Sequence, residues 1–382
     1  MNKSIPELVN SSVFCPAPWS NVDVSPQGVI APCCKAVGFP TVRITETTLA
    51  EYTQTPALEQ MKASFRAGAW PAECVRCQRE EANGVQSKRQ LDVERWQHIF
   101  ETLTVETLGP VSASISVGNV CNLRCRICSS TASSARRAEE TLVGRRVQPI
   151  SKYAAETQVL ADLKQLAGQV YHIDFPGGEP FYTDRETQYT LLDTIIQAGR
   201  AHEVTLHYTT NGTVWPPAEF WARWKHFKEV DIQVSVDGVG AHFEYQRFPA
   251  SWDVVYANLK RYQSKLATEP YLKLSIAHTL SVFNVFYLPD FLKWCLRERL
   301  PKPWVGRLNT PYYLAPGIFP AESKAAVSAK LKYTSWADEV YNNDMSAHLP
   351  EFFEKTQVLD QNRQQSFADT FPETYQLLKG KS

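Results

Sequence analysis

Apolar and β-branched runs of strand length alternate with helical stretches through the middle of the chain. The runs predict six strands, at Ser114–Val117, Val170–Phe175, Val204–Tyr208, Val230–Val236, Leu272–Leu280 and Trp304–Leu308. The helical stretches predict helices at Arg185–Ala198, Ala218–Phe227, Trp252–Leu266 and Leu288–Arg299. Because strands that alternate with helices form parallel βαβ units, the pattern predicts an α/β fold with an open or partial barrel over residues 109–310. In such barrels the functional loops follow the carboxyl ends of the strands.

The two ends of the chain have a different pattern. Residues 1–108 are rich in Pro and Cys with few long periodic segments, which predicts a small N-terminal cysteine-rich module whose fold depends on metal. Within it, Trp19–Val24 and Val29–Pro32 predict a hairpin joined by a type I turn at Ser25–Gly28, and Pro56–Phe65 predicts a helix. Residues 311–382 predict a polar, helical C-terminal extension, to which the sequence assigns no function.

The composition narrows the class of protein. The 382 residues are 43% hydrophobic, enough for a substantial core. Forty Lys and Arg against forty Asp and Glu leave no net charge, so neither nucleic acid nor an acidic membrane is an expected partner. The first residues lack a signal-peptide pattern and no run approaches the roughly 20 apolar residues that span a bilayer, so we expect a cytoplasmic protein. The nine cysteines are unevenly grouped, which favours metal ligation over disulfides.

Three cysteines follow the first predicted strand of the barrel with the spacing CxxxCxxC: Cys121, Cys125 and Cys128. Three thiolates on one tight loop can hold three irons of a 4Fe-4S cube and leave the fourth iron open. The alternative is a zinc site or a set of buried thiols, but structural zinc usually takes four ligands and no fourth cysteine or histidine lies near Cys128 in the sequence. The spacing therefore favours a cluster with an open iron. Arg124 and Arg126 either offset the negative charge of that cluster or are solvated loop residues.

At this point the chain resembles the radical S-adenosylmethionine (SAM) superfamily, whose members carry this cysteine spacing after the first strand of a partial TIM-type barrel. The resemblance covers about Val111 to Leu308 and implies a partial (β/α)6 TIM-type barrel. It implies that SAM chelates the open iron, that the reduced cluster donates an electron to the sulfonium, and that a 5′-deoxyadenosyl radical abstracts hydrogen from a substrate C–H bond. It also implies an electron donor of the flavodoxin or ferredoxin type.

Two glycine-containing motifs at the ends of the next predicted strands resemble SAM-binding segments of that family. Gly177, Gly178 and Glu179 are similar to its GGE motif, which implies close approach of the backbone to the methionine part of SAM and a hydrogen-bond acceptor for its amine. Read alone, the same residues are a Gly-Gly turn followed by a solvated Glu. Asn211 lies in a Thr-Asn-Gly segment that is common in these enzymes, although Asn-Gly alone indicates a turn.

Three further residues resemble SAM-binding positions of the same family. Ser235 and Asp237 lie at alternate positions at the end of a strand and match the ribose-binding position of the family. There, two side chains can form hydrogen bonds with the vicinal hydroxyls of the ribose. The alternative is a strand that ends in an Asp-Gly turn. Arg247 matches an arginine that pairs with the SAM carboxylate in relatives, and the alternative there is a surface arginine.

A second group of cysteines lies in the N-terminal module. Cys15 and Cys33 flank the predicted hairpin, and Cys74 and Cys77 form a CxxC pair. Four gathered cysteines fit either zinc or a closed 4Fe-4S cluster. Their order is similar to that of Twitch, one of the SPASM and Twitch auxiliary-cluster modules of radical SAM enzymes, which implies an auxiliary 4Fe-4S cluster; those modules typically follow the barrel, whereas this one precedes it. Cys34 is an alternative ligand to Cys33, and we expect Cys295 to be a buried thiol.

An auxiliary cluster with four protein ligands cannot bind substrate directly, so it is expected to transfer electrons. We therefore predict net oxidation or cross-linking of a peptide or protein substrate, with dehydrogenation of a small-molecule alcohol or aminosugar as the alternative. A non-catalytic iron-sulfur or zinc protein that carries electrons is the competing class. His207, His242, Tyr245 and His278 either line a substrate pocket or are packed, and no catalytic acid or base is assigned.

Overall fold

The structure of the protein is a computed structural model that describes residues 11–82, 84, 86–100, 109–308, 310–334, 336–337, 340 and 343–380. The predicted boundary between residues 108 and 109 adjoins a stretch outside the described residues. Within the described part of the chain, no helix is long and apolar enough to cross a lipid bilayer.

The described strands and helices follow one another along the whole chain. The strands are β1 Asn21–Val24, β2 Val29–Ala31, β3 Val42–Arg43, β4 Ser112–Ile115, β5 His172–Phe175, β6 Thr205–Thr210, β7 Glu229–Ser235, β8 Leu272–Leu280 and β9 Trp304–Arg307. The helices are α1 Ala17–Ser20, α2 Leu49–Tyr52, α3 Pro56–Arg66, α4 Val75–Ala82, α5 Lys88–Phe100, α6 Arg137–Glu140, α7 Thr157–Ala167, α8 Arg185–Gln197, α9 Ala218–Trp224, α10 Ala241–Gln246, α11 Trp252–Leu266, α12 Leu288–Arg297, α13 Ala321–Leu331, α14 Leu349–Arg363, α15 Phe367–Thr370 and α16 Pro372–Lys379.

The nine strands form one sheet in the order β3-β2-β1-β4-β5-β6-β7-β8-β9. β1 pairs antiparallel with β2 and β2 antiparallel with β3, whereas the pairs β1–β4, β4–β5 and β8–β9 are parallel. The predicted mixed α/β fold is confirmed, and the six predicted strands correspond to β4 to β9. The sheet is consistent with the predicted partial barrel, whose closure stays a prediction.

The sequence placed most of these elements within a few residues. β8 and α11 have the predicted bounds, and β4 begins two residues earlier than predicted, at Ser112. The predicted hairpin is confirmed as β1 and β2, and the amide of Gly28 donates to the carbonyl of Ser25 at 2.9 Å, which closes the turn. Trp19 belongs to the short helix α1 and not to the strand.

Contacts group the residues into two compact units. The first comprises Met1–Asn119, Ser151–His207 and Ala218–Val230, and the second comprises Val120–Ile150, Tyr208–Pro217 and Asp231–Ser382. The predicted division into residues 1–108, 109–310 and 311–382 stays a prediction.

In the first unit, strands β1, β4 and β5 have one buried apolar face and one polar face. Val22, Ala113 and Ile173, one from each of β1, β4 and β5, are at most 5% exposed. Asp23 and Asp174 alternate with these apolar residues along β1 and β5, as the two-residue period of a strand requires. A separate apolar core, which includes Phe14, Trp19, Met61, Phe65 and Trp96, packs around the N-terminal helices.

In the second unit, aromatic side chains from the C-terminal helices form a core. The rings of Phe367 and Phe371 lie 5.7 and 5.9 Å from that of Phe283, and Phe352 lies 5.7 Å from it. The ring of Tyr245 also contacts this group, 5.6 Å from Phe283. The C-terminal extension therefore shares a core with residues of the predicted barrel.

Candidate functional site

The loop that carries Cys121, Cys125 and Cys128 lies in the second unit and contains no helix or strand. The amide of Leu123 donates to the Sγ of Cys121 at 3.4 Å, and the Nδ2 of Asn211 donates to the same sulfur at 3.9 Å. Hydrogen bonds to sulfur stabilise thiolates and tune the potential of iron-sulfur clusters. The structure thus brings Asn211 to the cysteine loop, and its role in SAM binding stays a prediction.

The charges around this loop are mostly positive. Burial raises the pKa of the Cys125 thiol, and the charge of Arg247 opposes that shift. Burial likewise raises the pKa of Cys128 to about 12, opposed by Arg136 and Arg247. Because a metal ligates the thiolate, cations that lower these pKa values favour metal binding.

Asp237 and Arg247, two predicted SAM-binding residues, form an ion pair with each other in the second unit. The Nη2 and Nε of Arg247 lie 2.8 and 2.9 Å from the Oδ2 of Asp237. The Oδ1 of Asp237 accepts a hydrogen bond from the amide of Thr279 at 2.8 Å. Ser235 is half-buried near the end of β7. The alternative that Arg247 is a surface residue is wrong, because its side chain is buried.

Asn211 is held by an interlocking set of polar contacts. Its Oδ1 accepts from the amide of Thr213 at 2.9 Å and from the hydroxyl of Thr213 at 2.6 Å. Its Nδ2 donates to the Oδ1 of Asn122 at 2.9 Å. Both a turn and a contact with the cysteine loop are therefore present at this residue.

Gly177, Gly178 and Glu179 lie in the first unit. Gly177 has φ +77°, and a Cβ there would lie 2.8 Å from the Oγ of Ser116 and 2.9 Å from the Cγ of Pro26. Gly178 also has a positive φ, of +57°. Glu179 is fully buried, so the interpretation of a turn with a solvated Glu is wrong. The role of the three residues in SAM binding stays a prediction.

Cys15, Cys33, Cys74 and Cys77 line one pocket of the first unit. The amide of Lys35 donates to the Sγ of Cys33 at 3.3 Å. Burial raises the pKa of Cys15 far above that of a free thiol and the pKa of Cys74 to about 12, and each of the two shifts is increased by neighbouring thiols. The structure thus gathers four cysteines that are up to 62 positions apart in sequence.

Cys33 and Cys34 have different surroundings. Cys33 lines the pocket, whereas Cys34 is exposed and does not line it. A hydrogen bond between the two thiols raises the pKa of Cys33 and lowers that of Cys34. The geometry favours Cys33 as the ligand. Cys295 is buried in α12, as expected.

Neither cysteine group has the geometry of a single-ion site. Within the described residues, no three or more His, Cys, Asp or Glu side chains are placed to hold one metal ion. A tetrahedral zinc ion, with Zn–S bonds of about 2.3 Å, would draw its thiolates to within about 4 Å of one another. A 4Fe-4S cluster binds each thiolate through a different iron and needs wider spacing. The all-thiol donor sets, with N–H groups that donate to Cys33 and Cys121, fit an iron-sulfur cluster, and a set of four thiols also suits zinc.

The polar face of the first unit's sheet carries Asp23, Ser114, His172 and Asp174, to which the sequence analysis gave no role. Asp23, Ser114 and Asp174 are in register across β1, β4 and β5. The Nε2 of His172 donates to the Oδ1 of Asp174 at 2.9 Å, and the ring of His207 lies 6.5 Å from that of His172. The Asp174 side chain is still 37% exposed. This row therefore offers accessible carboxylate and imidazole groups to a polar ligand.

The pKa values of Asp23 and Asp174 are shifted in opposite directions. Burial raises the pKa of Asp23 to about 6, against a hydrogen bond from Ser114. Burial alone would raise the pKa of Asp174 as well, but His172 and His207 hold it well below its usual range. Paired groups with opposite shifts are typical of sites that move protons. The alternation of polar and apolar residues in β1 and β5 was the available sequence signal for this face.

Two of the candidate pocket residues are packed. His278 is fully buried, its Nδ1 donates to the carbonyl of Val236 at 2.8 Å, and its ring stacks on Phe291 at 4.3 Å. Burial lowers the pKa of His278, which keeps it neutral. The Tyr245 hydroxyl donates to Asp360 at 2.8 Å. The Tyr245 hydroxyl is thus taken up by Asp360, whereas His278 still lines a pocket of the second unit together with Asp237 and His242.

Comparisons with known proteins give structural similarity only. No family model matches the chain, and no curated protein matches it. The chain is similar in structure to anSMEcpe with bound AdoMet, with 14% sequence identity and a TM-score of 0.42 over 62% of this chain and 63% of that chain. It thus spans less than two thirds of the length of anSMEcpe.

The chain is also similar in structure to SuiB of Streptococcus suis. For SuiB bound to S-adenosylmethionine, the identity is 12% and the TM-score 0.34, over 74% of this chain and 59% of that chain. For SuiB bound to its precursor peptide SuiA, the values are 14% and 0.33, over 64% and 51%. These similarities concern the course of the backbone.

Proposed function

We propose that this protein is a radical SAM enzyme with an auxiliary iron-sulfur cluster. The observation that carries the proposal is the loop of Cys121, Cys125 and Cys128, which presents three thiols beside N–H donors and arginines. Three thiols account for three irons of a cubane cluster, so one iron is left for SAM. Asp237, a carboxylate whose charge acts on Cys125, is already bonded to Arg247 and Thr279 and is not a fourth ligand.

The cluster and SAM, when bound, would supply a 5′-deoxyadenosyl radical that removes hydrogen from a C–H bond of the substrate. The residues of the second unit would orient SAM. The guanidinium of Arg247 has five N–H donors and uses Nε and Nη2 on Asp237, so donors remain for the SAM carboxylate. The Oδ2 of Asp237 faces two donors of Arg247, but its Oδ1, which accepts one hydrogen bond from the Thr279 amide, keeps a lone pair for a ribose hydroxyl, and Ser235 would provide the second contact.

Asn211 and the Gly-Gly-Glu motif are the remaining residues that we propose to serve SAM binding. Asn211 would support the cysteine loop through its contact with Cys121. Gly177 and Gly178 would allow the backbone to approach the methionine part of SAM, since side chains at positive φ are strained. Glu179 would accept a hydrogen bond from the SAM amine.

The four-cysteine pocket of the first unit would hold the auxiliary 4Fe-4S cluster through Cys15, Cys33, Cys74 and Cys77. A cluster with four protein ligands has no open iron, so its residues serve electron transfer and not substrate binding. The reaction would therefore be a net oxidation or cross-linking, with the electron of the substrate radical leaving through this pocket. A flavodoxin- or ferredoxin-type protein would supply the electron that starts the reaction.

The proposed substrate is a peptide or protein. The accessible row of Asp23, Ser114 and Asp174 would accept hydrogen bonds from its polar groups, with Asp174 held ionised by His172 and His207. A small alcohol or aminosugar offers the same donors, so substrate trials should include both classes.

Anaerobic reconstitution tests the proposal. We expect iron and sulfide for two clusters, an electron paramagnetic resonance (EPR) spectrum that changes on addition of SAM, and 5′-deoxyadenosine on reduction. Cys125→Ser should abolish the SAM effect, whereas Cys295→Ser, which alters a buried thiol outside both groups, should not. Zinc in place of iron, or a spectrum that SAM leaves unchanged, would favour the electron-carrier class and reject the enzyme.

A second experiment separates the roles of the two clusters. The double variant Cys74→Ala/Cys77→Ala should lose roughly four irons per chain and still form 5′-deoxyadenosine. With a substrate found by screening peptides and amino alcohols, it should form no oxidised product. Full product formation by this variant would refute the oxidative role of the auxiliary cluster.

A further inference from the structure

Helix α14, in the C-terminal extension, has two charged residues in its last turn that contact the cysteine loop. Arg363 donates to the carbonyl of Arg124, and Asp360 accepts from the guanidinium of Arg126. Arg124 lies between Cys121 and Cys125, and Arg126 directly follows Cys125. These contacts lie within the second unit and join positions 239 and 234 residues apart.

Arg363 is fixed by a bidentate ion pair. Its Nε and Nη2 donate to the two carboxylate oxygens of Glu139 at 2.9 and 2.6 Å, and the two side chains are 0% and 1% exposed. Glu139 also pairs with Arg136, and with Arg124 at 3.4 Å. Bidentate pairs set direction as well as distance, so the guanidinium that holds the Arg124 carbonyl has little freedom to move.

Asp360 is the centre of a second set of contacts. Its carboxylate accepts from Arg126, from the Tyr245 hydroxyl at 2.8 Å and from the amide of Phe367 at 2.7 Å. The Arg126 side chain is 1% exposed and lies 3.7 Å over the ring of Tyr245, with Gln365 accepting a further hydrogen bond at 3.0 Å. The interpretation of Arg126 as a solvated loop residue is therefore wrong.

These anchors act on a segment that has no regular secondary structure between Cys121 and Cys128. Holding a loop residue in one conformation costs backbone entropy, so outside contacts must hold the loop. We propose that α14 is a clamp which holds the cysteine loop in the conformation that binds the cluster, with Asp360 and Arg363 as positioning residues. This inference rests on the proposed function only in taking the loop as a cluster site.

The clamp also leaves net positive charge beside the thiols. Its ion pairs join five arginines, Arg124, Arg126, Arg136, Arg145 and Arg363, to three carboxylates, Glu139, Glu140 and Asp360. Positive charge favours the reduced, more negative state of a nearby cluster. Loss of Arg363 should therefore lower the reduction potential of the cluster, whereas Arg363→Lys, which keeps the charge, should shift it less.

Hydrogen-deuterium exchange of the metal-free protein tests the clamp without any cofactor. In Arg363→Gln the amides of residues 121–128 should exchange about ten to a hundred times faster, because buried hydrogen bonds to charged groups contribute about 1.5–3 kcal/mol. Glu354→Gln, an exposed change on the same helix, should leave them unchanged. If Arg363→Gln does not fold, as judged by circular dichroism, the isosteric Asp360→Asn takes its place. Exchange equal to that of the wild type in the folded variant would overturn the clamp.

Metal analysis then separates the clamp from the proposed function. In a Cys74→Ala/Cys77→Ala background, only the loop of Cys121 remains to bind a cluster. Arg363→Gln should reduce iron loading there and alter the EPR spectrum, and Glu354→Gln should do neither. If the background itself binds no iron, the proposed function fails, while the exchange result still decides the clamp. If it loads iron and Arg363→Gln leaves loading and spectrum intact, the clamp is overturned and the proposed function stands.

Discussion

The Oδ2 of Asp237 lies 2.8 Å from the Nη2 of Arg247, and the two side chains are 1% and 9% exposed. Removal of one partner from a buried ion pair leaves an uncompensated charge and typically costs about 3–5 kcal/mol. We expect Asp237→Asn to lower the free energy of unfolding by about that amount, as measured by urea titration of the metal-free protein. Asp253→Asn, at an exposed site, should change it by less than about 1 kcal/mol. Equal values for the two variants would mean that the pair does not stabilise the fold.

Cys33 and Cys34 provide a matched pair of substitutions in the N-terminal module. Cys33 lines the pocket with Cys15, Cys74 and Cys77, whereas Cys34 is exposed. Cys33→Ser should remove roughly four irons per chain after anaerobic reconstitution, and Cys34→Ser should remove none. Iron analysis checks both, and the reverse pattern would assign the ligand to Cys34.

Alanine substitutions at Gly177 and Gly199 distinguish the stability cost of close packing from that of backbone strain. Both have a positive φ, +77° and +71°, but a Cβ at Gly177 meets Ser116 and Pro26 below 3.0 Å, while nothing lies within 4 Å at Gly199. Gly199→Ala should cost about 1 kcal/mol through its φ alone, and Gly177→Ala should cost about 1–3 kcal/mol more. Thermal unfolding of the two variants measures the difference. Equal midpoints of thermal unfolding for the two variants would show that Ser116 and Pro26 move aside at Gly177 without a loss of stability.

Asp23 should make the metal-free protein less stable as the pH rises from 4 to 6. Burial raises its pKa from 3.8 to about 6, so in this range the folded state holds a proton that the unfolded state has released. The contribution of Asp23 to stability is therefore greatest below its unfolded pKa and falls through this window, by about 3 kcal/mol for a shift of about two units. Urea titrations at several pH values should show that Asp23→Asn removes this loss.

The exposed Asp253→Asn is the control for the pH series, and it should keep the slope of the wild type. A slope that persists in Asp23→Asn would assign the pH dependence to another group.

The sequence predicted the elements whose signal is local. Leu272–Leu280 is apolar enough to be recognised as a strand from its own residues, and Trp252–Leu266 repeats with the period of a helix. The three cysteines of CxxxCxxC are necessarily neighbours, whatever the rest of the fold. The gathering of Cys15, Cys33, Cys74 and Cys77 was also predictable, because a hairpin and a CxxC pair each bring two of them together.

Contacts between distant segments left no such signal. Nothing in the polar helix Leu349–Arg363 indicates that Arg363 binds the carbonyl of Arg124, since a charged residue in the last turn usually faces water. The ion pair of Asp237 and Arg247 was missed for a related reason, because each residue was assigned separately to SAM. Such pairs depend on tertiary packing, which a single sequence does not specify.

The pairing of β1 with β4 has a practical consequence for truncation of this protein. Ser112–Ile115 is flanked by β1 on one side and β5 on the other, so the N-terminal hairpin covers backbone groups that would otherwise lie open. A shortened chain that starts near residue 109 would present an unprotected strand edge, which invites intermolecular β-pairing and aggregation. Expression of residues 109–382 alone should therefore yield insoluble material unless the hairpin is supplied in trans.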